Sequence, residues 1–104
     1  MSTKQVMSQK RLYVLTDKSL DPIYASVQGG HAVAQWLLEH PNQDWNNSYL
    51  IYLKANIEYW MCKLGILGED YSSFKEPDLN NKVTSIAILS RDDNMFKKLK
   101  LLGE

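Results

Sequence analysis

The chain has 104 residues, enough for one domain with a single core and little stability to spare. Hydrophobic residues make up 44% and charged residues 23%, the balance of a globular protein, and no apolar run reaches the roughly 20 residues that span a bilayer. Twelve basic and twelve acidic residues cancel, so the basic excess of a dedicated nucleic-acid binder is missing.

In chain order, residues 1–10 are polar and read as a flexible tail rather than a secretory signal, followed by a single domain over 11–104. Arg11 to Thr16 is short and rich in β-formers, hence a buried strand. Asp21-Pro22 is a helix entry or turn. A helix is predicted from about Tyr24 to His40, where Pro41 stops it. Val27, Ala34, Leu37 and Leu38 fall near one stripe of this helix, with Val33 beside it and Gly30 and His31 on or next to it. The adjacent Gly29 and Gly30 cost such a helix about 2 kcal/mol relative to alanine. That cost points to a close approach, by packed backbone or by a ligand.

Asn42 to Asn47 is a turn-rich loop, and Tyr49 to Leu53 a second strand. Asn56 caps a second helix that runs to about Leu67, with Ile57, Trp60, Met61, Leu64 and Leu67 as its apolar face and Gly68 as its stop. Tyr71 to Phe74 is a short third strand, Glu76 to Asn81 a turn, and Val83 to Leu89 a fourth strand. Asp92 or Asp93 caps a last short helix around Met95 to Lys98, and Leu99 to Leu102 pack back on the core. The order β-α-β-α-β-β-α predicts a three-layer α/β/α domain with a four-stranded mixed sheet.

Chemistry-bearing residues are few. No metal motif or phosphate loop is present, and His31 and His40 lack the spacing of a helical zinc pair, so neither metal nor cofactor is expected. The single Cys62 fits a reducing compartment and reads as a buried, inert thiol. Lys97, Lys98 and Lys100 read as an ordinary solvated face. Gln28 and His31, one helical turn apart, are neighbours, while Asp78 and Thr84 flank the start of the last strand. Each also has a plain reading: a half-buried helix histidine, a first-turn glutamine, a turn aspartate, a strand threonine. Trp36, Trp45 and Trp60 read as core or interface.

Together these segments resemble the type-2 peptidyl-tRNA hydrolase family over about residues 11–102. The resemblance rests on the strand Leu12-Tyr-Val-Leu, the helix Gln28-Gly-Gly-His-Ala-Val-Ala, Trp45, Leu50-Ile-Tyr-Leu-Lys54, Glu76-Pro-Asp78, Lys82 to Ile88 and Leu99 to Leu102. It implies Asp78 and His31 as catalytic residues and Gln28, Thr84, Gly29 and Gly30 as substrate-binding ones. It also implies tRNA or peptidyl-tRNA as partner, a homodimer, and a cytoplasmic location. The chain departs from the family where its catalytic lysine stands: that position is Tyr24, counted here among the substrate-binding residues. Tyrosine cannot supply the same cationic stabilisation. Two readings follow. One is hydrolysis of the ester between peptide and tRNA 3′ end. The other is a catalytically inactive binding module on the same fold, for a tRNA end, a small ligand or a protein partner.

Overall fold

A computed structural model of the chain describes residues 10–43 and 45–104. The expected tail, apart from Lys10, lies outside the described residues, as does Asp44 in the polar loop. The elements are β1 (Arg11–Asp17), α1 (Pro22–Glu39), β2 (Leu50–Ala55), α2 (Ile57–Leu67), β3 (Ser72–Glu76), a 3-10 turn (Pro77–Leu79) and β4 (Lys82–Ser90).

The sheet order is β2-β1-β4-β3. β1 and β2 run parallel, which requires a crossover, and α1 supplies it. β4 runs antiparallel to both β1 and β3, so the sheet is mixed, as the element order predicted. Alternate residues of the central strands point to opposite faces. Leu12, Val14 and Ala87 pack with Ala32 and Trp36 of α1. Tyr13, Leu15, Ile86 and Ile88 pack with Ile57, Trp60 and Leu64 of α2 and with Phe96. The result is three layers, one helix on each face.

The punctuation is where local chemistry requires it. The Asp21 carboxylate accepts from the N–H groups of Ile23 and Tyr24, with Pro22 in the first turn. Asn56 caps α2 through the Tyr59 N–H, and Gly68 ends it at φ 70°, a left-handed conformation that costs glycine nothing. Asn80 and Asn81 turn the chain between β3 and β4 with φ of 54° and 61°.

Four expectations are corrected. The apolar stripe of α1 is not its buried face: Val27, Leu37 and Leu38 are exposed, and the sheet meets Ala25, Gln28, Gly29, Ala32 and Trp36 instead. Small residues let the helix come close to the strands, as at Gly29, and Trp36 packs with Leu12, Val14 and Ala87. Cys62 is exposed rather than buried, because it lies off the Ile57–Trp60–Leu64 stripe of α2. Leu67 is 52% exposed at the end of the same helix. Met95 to Lys98 do not form a helix: residues 93–98 are successive turns, held by bonds such as Leu99 N–H to Phe96 carbonyl at 3.0 Å. A segment this short cannot repay helix nucleation, while Phe96 pins it to the core. The chain end then runs along the outer edge of β2, with Lys54 N–H donating to the Lys100 carbonyl at 2.9 Å and Leu102 N–H to the Tyr52 carbonyl at 3.0 Å. Part of an open sheet edge is thereby covered.

Candidate functional site

Tyr24, Gln28 and His31 follow one another at i, i+4 and i+7, so α1 presents them as a single stripe. Facing them are Phe74 and Glu76 of β3, which share a strand face. The third wall depends on an irregularity in β4. Phe74 pairs with Ser85, but Lys75 pairs with Val83, so Thr84 is an extra residue in a bulge. A bulge re-aims side chains. Strict alternation would send Thr84 and Ser85 to opposite faces, and here both reach α1.

Gln28 joins the three walls and is 1% exposed. The Thr84 hydroxyl donates to Gln28 Oε1 at 2.5 Å, and the Ser85 hydroxyl to the Gln28 carbonyl at 2.6 Å. Gln28 Nε2 donates to Glu76 Oε1 at 2.8 Å, and the Tyr24 hydroxyl reaches the same oxygen at 3.3 Å. Glu76 Oε2 accepts the Asp78 N–H at 3.3 Å. The plain reading of Gln28 as a surface or first-turn residue therefore does not hold. It is a buried polar side chain whose amide is satisfied on both ends, as burial demands.

The electrostatics follow from this wiring. The Gln28 amide and the Asp78 N–H hold the Glu76 carboxyl below the ordinary glutamate range, against some loss of hydration, with Tyr24 and the nearby His31 adding to the effect. Glu76 is thus a stable carboxylate and a weak base. Lost hydration and the Glu76 carboxylate push the Tyr24 phenol upward, so it stays a donor.

The residues singled out in the sequence fall into three groups. Tyr24, Gln28 and Thr84 are brought together through Glu76. His31 and Asp78 border this network from outside: His31 is exposed and stacks on Phe74, ring centroids 4.4 Å apart and planes 12° off parallel, while Asp78 is exposed in the 3-10 turn. The glycine pair splits. A Cβ on Gly29 would lie 2.5 Å from Tyr52 Cε2 and 3.1 Å from Val14 Cγ1, so the sheet, not a substrate, occupies the space beside it. Gly30 is exposed, and a Cβ there would meet only the Tyr52 hydroxyl, at 4.0 Å.

Glu76 is the residue that sequence reasoning missed. Its signal was the alternation Phe74, Glu76 leading into Pro77, which places a carboxylate on the inner face at the last strand position. A turn reading of Glu76 to Asn81 hid it.

On the opposite face, at the same end of the sheet, Asp17 closes β1. Its carboxylate accepts from Ser19 at 2.9 Å (N–H) and 2.8 Å (hydroxyl) and pairs with Lys82 Nζ at 2.9 Å. Burial works to raise the Asp17 pKa, but Lys82 and Ser19 outweigh it and hold the carboxyl low. This pair lines a cavity of about 560 Å³ with Lys18, Asn56, Met61 and Val83. The cavity lies outside the carboxyl ends of the parallel strands, where open α/β sheets commonly bind ligands. Among the described residues, no helix is long and apolar enough to cross a membrane. Compared with known proteins, the chain matches no family model and no curated protein.

Proposed function

We propose that the chain is a type-2 peptidyl-tRNA hydrolase-like protein that binds the 3′ end of tRNA or peptidyl-tRNA without cleaving it. One observation carries this reading: the half-buried Glu76 carboxylate beside the exposed His31–Phe74 stack. A carboxylate has about four acceptor positions. Glu76 uses three, two on Oε1 and one on Oε2. The open position suits a ribose hydroxyl, which is a neutral donor, and the outer face of His31 suits a base, since unpaired RNA bases are recognised by stacking and by the 2′-hydroxyl. A phosphate would be repelled there.

The same wiring argues against ester hydrolysis. The family lysine is Tyr24, and its hydroxyl is bound to Glu76. Gln28 Nε2, the obvious oxyanion donor, is also committed to Glu76. A general base needs a pKa near the working pH, and Glu76 is held lower. Hydrolysis remains the second reading because Asp78 and His31 stand exposed at the rim, where one could take a proton from water. A cytoplasmic place and self-association belong to the same proposal. The outward face of α1, with Ile23 at 78% and Leu38 at 77% exposure, supports a second copy as the self-association partner.

The test incubates purified protein with peptidyl-tRNA and follows both complex formation and release of free tRNA. Salt-dependent binding, weakened in Glu76→Gln, with no release above buffer, is the expected result. Release that disappears in Asp78→Ala or His31→Ala would establish the hydrolase instead. Absence of any complex would reject both.

A further inference from the structure

The net charge of zero hides an uneven distribution. Five of the twelve basic residues, Lys18, Lys54, Lys63, Lys97 and Lys98, line one groove of about 520 Å³, and no Asp or Glu lines it. They come from four separate parts of the chain: the turn after β1, the end of β2, the middle of α2 and the C-terminal turns. The reading of Lys97 and Lys98 as a solvated face misses this convergence, which only the fold creates. Among the described residues, none of the five takes part in a salt bridge, whereas Arg11 and Lys82 do.

Aromatic rings are interleaved with this charge. Lys63 Nζ lies 4.8 Å from the Trp60 ring centre and 5.9 Å from that of Tyr59, and the two rings meet edge-on at 5.7 Å. Trp60 is buried and supports the wall, while Tyr59 is 56% exposed and offers a free face. Lysines that track a backbone beside an aromatic platform are the features by which proteins hold single-stranded nucleic acid, phosphates on the cations and a base on the ring. An acidic peptide would use the charge but not the ring. A membrane would favour a flat basic surface over a groove.

We propose that this groove binds the phosphate backbone of a single-stranded RNA segment, with a base stacked on Tyr59. Lys18 and Asn56 also line the neighbouring cavity, whose other wall is Lys82 and Val83, next to Thr84 of the Gln28 network. To reach the Glu76 site, a strand leaving the groove would pass the Asp17–Lys82 pair and Glu58 in that cavity and round the end of the sheet to its opposite face. This last step rests on the 3′-end reading above; the groove itself does not.

The test is fluorescence anisotropy with a 5′-labelled 12-nucleotide oligouridylate, titrated over a range of salt. For a single strand, log K falls with log salt by about 0.7 per phosphate neutralised. The triple variant Lys54→Gln/Lys63→Gln/Lys97→Gln is expected to flatten that slope by about 2 and to weaken binding at least tenfold at low salt. Tyr59→Leu is expected to weaken binding about fivefold or more with the slope unchanged. Arg91→Gln, which removes a charge at the opposite end of the sheet, is expected to match the parent within about twofold. Circular dichroism melts of all variants establish that each is folded. A parent slope in the folded triple variant overturns the proposal. So does equal affinity for a polyglutamate peptide or for phosphatidylserine vesicles. An oligouridylate blocked with a 3′-phosphate separates the two ideas. If it binds as well as the free 3′ end while the lysine variants fail, the groove stands and the 3′-end reading falls. If the free end is preferred and the lysine variants behave as the parent, the groove falls and the 3′-end reading stands.

Discussion

The two faces of the sheet carry polar groups in opposite ways. Under α1, Gln28, Thr84, Ser85 and Glu76 satisfy one another and leave one acceptor position open. Beside α2, five lysines line a groove with no carboxylate to meet them. The first arrangement stabilises the fold and fixes geometry, because a buried polar group without a partner is costly. The second contributes little to stability and leaves its charge available to a ligand. Substitutions should therefore separate the faces: stability is lost on one and binding on the other.

The largest stability effect is expected at the centre of the closed network. Gln28→Ala takes the acceptor from the Thr84 hydroxyl and the amide donor from Glu76, while the Ser85 bond to the backbone carbonyl is kept, and should cost about 1–3 kcal/mol in urea unfolding. The glycine pair gives the next contrast. Gly29→Ala drives a methyl group into Tyr52 and Val14 and should destabilise by about 1–3 kcal/mol. Gly30→Ala, in open space in the same helix, should stabilise by about 0.5–1 kcal/mol. A matching loss at both positions would remove the packing explanation. On the basic face, Lys54→Gln and Lys97→Gln should leave the midpoint within about 0.5 kcal/mol of the parent while weakening RNA binding.

The smallest effect is a pH dependence at the far end of α1. His40 stacks on Trp36 and bonds to Asp70 at 2.8 Å and to the Trp36 carbonyl at 3.0 Å. Burial lowers its pKa, but these two acceptors outweigh burial and leave it raised above 6.5. A raised pKa means that the folded state binds the proton more tightly. The stabilisation is therefore complete below the unfolded value and fades as pH rises through the folded one. Thermal melts of the parent and His40→Gln should differ most at mildly acidic pH and converge above neutrality. A gap that widens with rising pH would contradict this.

How much of this was legible in the sequence follows from how local each feature is. Asp21-Pro22, Asn56 and Gly68 mark helix ends through bonds to residues two to four positions away, and each stands where it was expected. The face of α1 was misread because its apolar stripe points outward. The buried face consists of two alanines, a glycine, a glutamine and Trp36, a set in which only the tryptophan is a large apolar residue. The cost of two glycines did signal a close approach, though only at Gly29, and to the sheet. The Thr84 bulge is a matter of strand register, set by pairing with β3, and the chain alone does not reveal it. Glu76 entered the network through that same pairing. The lysine groove joins positions up to 80 residues apart, from Lys18 to Lys98, and so appears only once the fold brings them together.

The ribose contact at Glu76 is tested by comparing two oligoribonucleotides that differ only in the terminal sugar, one ending in a 2′,3′-diol and one in a 2′,3′-dideoxyribose. Binding of the diol is expected to be tighter by about tenfold to a hundredfold, as one hydrogen bond of about 1.5–3 kcal/mol to a carboxylate would give, and the preference is expected to be lost in Glu76→Gln. Equal affinity for both oligonucleotides in the parent protein would contradict it.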